Sequence, residues 1–159
     1  MNLSKNDKEK YGAEFNQHIL EQYKLYVEMA DRISARRMHA NSFFVGINTA
    51  LMAAFTVSFK SNTQQLETVW FIPLSAAIIF CFVWWRIITS YRQLNSGKFK
   101  VIHAIEQFLP IAPYDSEWIA LGAGKNTKLY KPFTHVESWV PVCFAVLYIL
   151  MGIYITVAH

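Results

Sequence analysis

His103 and Glu106 stand one helical turn apart, and His135 and Glu137 lie close together further on. Imidazole and carboxylate groups at such spacings can ligate a metal ion. No fourfold convergence can be drawn from one chain, so polar contacts beside a membrane are the better reading and no metal or cofactor is expected. Gly122–Lys125 spells GAGK, the tail of a phosphate-binding loop. That loop requires a glycine where Ile119 stands and a hydroxyl residue where Asn126 stands. A flexible turn therefore fits better. Cys81 and Cys143 both fall in apolar runs and are expected to be buried structural thiols. No nucleophile–base pattern involves them or any serine. Glu117 beside Trp118 reads as a surface acid next to a membrane-anchoring indole as readily as a site residue. A catalytic centre is not expected.

These residues hang on a chain unlike a soluble domain. Of the 159 residues, 53% are apolar and only 16% charged, against about a quarter charged in ordinary soluble domains. The charges cluster at 2–37, 86–106 and 115–137. Between them lie runs long enough for a bilayer core, which needs about 20 helical residues. They predict span one at 42–59, span two at 68–85 and span three at 138–158, with 60–67 an external loop between the first two, in one membrane domain covering 1–159. The fold class expected is all-α, with a cytoplasmic helical region built from a long N-terminal helix, within 1–41, and the 86–137 segment. The polar start lacks the apolar core of a cleavable signal, so insertion is expected to use an internal span.

Every Lys and Arg except Lys60 falls in the N-terminal segment or in 86–137. Three spans put both on one side, and the positive-inside rule makes that side cytoplasmic and the C-terminus external. The net charge of +4 is thus a topology signal, with anionic lipid as a further cause, and no nucleic-acid partner is expected. Trp70, Trp84, Trp85 and Trp139 fit an aromatic belt at span ends.

Ile19, Tyr23, Tyr26, Val27, Ala30 and Ile33 recur at helical spacing. With no Pro or Gly between Gly12 and Gly46, this amphipathic helix can run directly into span one. Its stripe must be covered by the segment after span two or by another copy. Asn95-Ser96-Gly97 is expected to break or bend the helix leaving span two. Pro110 and Pro113 end the stretch carrying Phe99, Ile102, Ile105 and Leu109. Asp115 is expected to cap a short helix stopped by Gly122. Thr134 and Glu137 suit a capping box for span three, where Pro141 predicts a kink.

Span one is the most informative. Gly46, Ala50 and Ala54 recur every four residues, which lets helices approach closely. Asn48 and Thr49 place polar groups in hydrocarbon, where they face protein or water rather than lipid. Helix packing is the first reading, and a polar lining of a central pore the second. No ionisable Asp, Glu, Lys or Arg lies within a span, which argues against ion-coupled transport.

YVEMADRISARRMHANSFFVGINTAL, WWRIITSYRQLNSGKFKVIHAIEQFLP, APYDSEW and YKPFTHVE, in that order, resemble the RipA family of octameric bacterial membrane proteins, from about Tyr23 to Tyr148. SARR-x-x-ANSFF is the most specific string. The resemblance implies an inner-membrane octamer and carries over no catalytic site. Two readings follow. One is a non-enzymatic homo-oligomer, a scaffold or channel-like ring whose cytoplasmic collar receives protein partners. The other is a membrane-bound sensor or enzyme using His103, Glu106, Asp115, Glu117, His135 and Glu137, or an effector acting on the membrane in stress or phage defence.

Overall fold

The computed structural model describes residues 3, 6–61, 70–126, 129–130 and 133–157, the side chains at 58–61 and 133–135 excepted. Five helices follow one another: α1 (Lys8–Tyr11), α2 (Phe15–Ser61), α3 (Phe71–Glu106), α4 (Pro113–Ala120) and α5 (Phe133–Val157), with no strand among the described residues. The predicted loop 60–67 falls largely outside them. Three helices are long and apolar enough to cross a membrane, within Phe15–Val57, Phe71–Glu106 and Val136–Val157. As expected, α2 continues from the amphipathic stretch into span one without a break, for 47 residues. The chain clusters into two compact units, Met1–Arg36 with Tyr91–Pro132 and Arg37–Ser90 with Phe133–His159. Helices α2 and α3 contribute to both.

The second unit packs the three spans. Phe55, Leu74, Ala77, Cys81 and Tyr148 form one buried cluster, and Phe44, Trp84 and Ile88 another. Trp84 is fully buried. It stacks on Phe44 at 5.6 Å and 8° between planes, and donates from Nε1 to Asn41 Oδ1 at 3.1 Å. The belt expectation therefore fails for Trp84: Phe44 and Asn41, on a neighbouring helix, satisfy both its ring and its N–H. Trp85 and Trp139 remain exposed. Cys81 is buried but Cys143 is exposed, because only one face of α5 meets the other spans. Pro141 lies inside α5 without ending it. A Cβ on Gly152 would come within 2.8 Å of Leu74 Cδ2, so α5 and α3 approach closely there.

The first unit covers part of the N-terminal stripe from within the chain. Ala30, Ile33 and Ile102 are buried, and Tyr26 takes Lys98 Nζ over its ring at 4.8 Å. Ile19, Tyr23, Tyr26 and Val27 are half-buried. Asn95-Ser96-Gly97 neither breaks nor ends α3. A mid-helix glycine costs about 1 kcal/mol, little against a helix packed along its length. Helix α4 starts at Pro113, with Ala112 rather than Asp115 at the cap position and no side-chain cap of its own. Its first amide groups are satisfied from another helix.

Candidate functional site

Glu106, the last residue of α3, is the centre of the first unit, at 2% exposure. Its Oε1 accepts from Tyr23 Oη at 2.9 Å and from the Tyr114 amide at 3.0 Å. Its Oε2 accepts the Asp115 amide at 3.0 Å. One carboxylate thus binds α2 and caps α4, and negative charge at a helix N-terminus is favourable. Asp115, freed from capping, lies 3.7 Å from His103 Nδ1. His103 rests edge-on against Phe99. The two residues expected to act together, His103 and Glu106, are thus turned to different partners. Glu117 is exposed, and the side chain of His135 lies outside the described residues, as does that of Thr134 in the expected capping box. Among the described residues no three His, Cys, Asp or Glu gather as a metal site would need.

Burial first, and then the hydrogen bond to Glu106, raise the Tyr23 phenol well above its ordinary 10.0. The unfolded chain releases this proton from about pH 10 while the folded chain keeps it. Stability is therefore complete below that pH and falls above it. Tyr23→Phe should lower stability by about 1 kcal/mol at neutral pH and flatten the loss between about pH 9 and 11. Denaturant midpoints of both proteins across that range check this; parallel curves would refute it.

The GAGK turn uses three of its amides on its own backbone. Gly122, Ala123 and Gly124 all have positive φ, and the amides of Gly122, Ala123 and Lys125 donate to Ile119, Trp118 and Gly122 carbonyls. Gly124 lies so close under the Trp118 indole that a Cβ would sit at 3.1 Å.

In the second unit Asn48 is fully buried. Its Nδ2 donates to the Phe44 carbonyl at 2.8 Å. Its Oδ1 accepts from Tyr148 Oη at 3.1 Å and faces Cys81 Sγ at 3.4 Å. The amide joins all three spans and points into their core. Thr49 points outward, its hydroxyl donating to the Val45 carbonyl. Gly46, Ala50 and Ala54 are exposed on the same side of α2, and a Cβ on Gly46 would meet nothing within 4 Å. The small-residue stripe is therefore unused within the chain.

At the entry to spans one and three, Arg37 Nε lies 3.3 Å from Glu137 Oε2, with side chains 15% and 7% exposed. Neither atom makes a hydrogen bond, so the attraction is Coulombic. Spacing alone did not mark Arg37. Ile33, Arg37, Asn41, Phe44 and Asn48 all lie on the inward line of α2, and a basic residue on an otherwise inward line was the available signal.

Residues 20–157 match the model of the octameric membrane protein family (8xMP). The chain belongs to that family. Membrane residence and self-association follow from membership, in agreement with the three apolar helices. For an octameric membrane protein, the exposed Gly46–Ala54 side of α2 is surface at which another helix can sit closely. No curated protein and no solved structure gives a significant match. Helix α1 and the first turn of α2 precede the stretch that matches the family.

Proposed function

We propose that the protein is a non-enzymatic homo-octameric scaffold of the bacterial inner membrane. Its N-terminal segment and residues 86–137 form a cytoplasmic collar, and its C-terminus is external. The observation that carries this reading is the division of polar and small residues on span one. Asn48 is spent inside the protomer, whereas Gly46, Ala50 and Ala54 stay exposed. Protomer contacts through that face need no new polar group, and the Thr49 hydroxyl is already bonded. The other large exposed side chains of the described spans, such as Ile72, Ile79, Phe82, Leu147 and Ile153, are apolar. Such faces suit lipid or helix contact, and of the exposed hydroxyls on span one, those of Thr49 and Thr56 bond back to carbonyls of their own helix, which favours a scaffold over a conducting ring. The basic residues gathered on one side support the orientation.

Native mass spectrometry in detergent should give one species near eight times 18.4 kDa. Gly46→Leu combined with Ala50→Leu should shift it to smaller species while helicity is kept, since neither position is packed within the protomer. A monomeric wild type, or a double variant still octameric, would count against the reading. Proteoliposomes should show no ion flux above empty vesicles.

A further inference from the structure

We propose that the first unit holds a binding site for a small neutral aromatic molecule, at a cavity of about 260 Å³ between the start of α2 and the end of α3. Phe15, Ile19 and Ile105 give it an apolar floor, and Tyr11, His18 and Gln22 a polar edge. The cavity is open on one side, and its volume exceeds the roughly 150 Å³ of an enclosed apolar cavity that accepts benzene. A two-ring heteroaromatic such as indole is of the right size.

The wall is built with specific contacts. Gly12, at φ +97°, turns α1 back toward α2, a conformation that glycine adopts at little cost. Tyr11 then meets Phe15 and His18 edge-on, each at 5.7 Å. Its hydroxyl is 2.9 Å from His18 Nδ1. On the other side of the ring His18 Nε2 faces Glu14 at 3.6 Å. The three rings form a corner that offers faces and edges to a planar guest. The Tyr11 oxygen and the Gln22 amide supply hydrogen bonds to one polar group on that guest. Among its described lining residues there is no Lys or Arg, and the nearby carboxylate of Glu14 is turned to His18. An anionic guest would meet no counter-charge among those residues, and the pairing of Glu14 with His18 leaves none for a cation, which points to a neutral guest. Tyr11, Phe15, His18 and Ile19 all precede the family match. Gln22 and Ile105 lie within it, and none of these residues belongs to the span-one face on which the scaffold reading rests.

The test uses the full chain in lipid nanodiscs, with indole as probe and octanoate as the anionic comparator. Ligand-observed NMR titrations of the wild type and Ile19→Trp are subtracted, which removes partitioning into lipid. Saturable indole binding is expected in the wild type. It should weaken by about tenfold or more in Ile19→Trp, where the larger side chain fills the cavity. Tyr11→Phe, which keeps the ring, should weaken it several-fold with helicity unchanged. Octanoate should not compete. Equal indole signals in wild type and Ile19→Trp, or an unaltered affinity in Tyr11→Phe, overturn the site. Tighter binding of octanoate than of indole overturns the neutral class.

Discussion

Glu106→Gln is expected to release α4 from its cap and to cost about 3 kcal/mol, the range of losing hydrogen bonds to a buried charged acceptor. The wild-type carboxylate takes three donors on two oxygens while 2% exposed. An amide of the same size has one oxygen, and its NH₂ group must face a donor. Either the Tyr114 or the Asp115 amide then loses its partner, and a buried unpaired donor is itself costly. Hydrogen exchange at these two amides should accelerate by about a hundredfold, as that energy implies. Glu117→Gln, on the exposed side of α4, should change neither rate. Unchanged protection in Glu106→Gln would show that α4 is held by its apolar contacts alone.

The second large effect is expected at the pair that links spans one and three. Arg37→Ala leaves the Glu137 carboxylate, 6% exposed, with no opposite charge. Breaking a buried ion pair from one side costs about 3–5 kcal/mol, whereas replacing both partners by apolar residues is often near neutral. Arg37→Leu combined with Glu137→Leu should therefore recover most of what either single substitution loses. Reversible unfolding in mixed detergent, read as a double-mutant cycle, measures the coupling. Additive single effects would mean the two charges do not depend on each other.

Both predictions rest on contacts that the linear sequence only half displayed. Charge-free runs and helical spacing are local properties, so the spans, the unbroken passage from stripe to span one and the four-residue repeat of small residues could all be read directly, whereas the outward facing of that repeat could not. Glu106 was visible as a polar residue on a helix, but its partners Tyr23 and Tyr114 come from separate helices, and no spacing rule connects them. For the same reason Asp115, which has the right chemistry for a cap, lost that role to a better-placed carboxylate. Trp84 looked like a headgroup anchor because tryptophan near a span end usually is one. Its burial depends on Phe44 and Asn41, which sit one turn apart on another helix. Arg37 was counted as a topology charge, and the count could not distinguish a charge facing lipid headgroups from one facing Glu137.

The Asn48–Tyr148 contact also has a consequence for biosynthesis. The two residues are separated by 100 positions, about 5–20 s of chain elongation. Until span three is made, span one must enter the bilayer with an amide whose oxygen lacks its phenolic partner. Its Nδ2 is satisfied from the outset by the Phe44 carbonyl in the same helix, and Cys81 reaches the oxygen 33 positions later. Span one is therefore a provisional insertion, made secure stepwise as the later spans arrive, and a chain truncated before Tyr148 should leave it the most easily extracted of the segments.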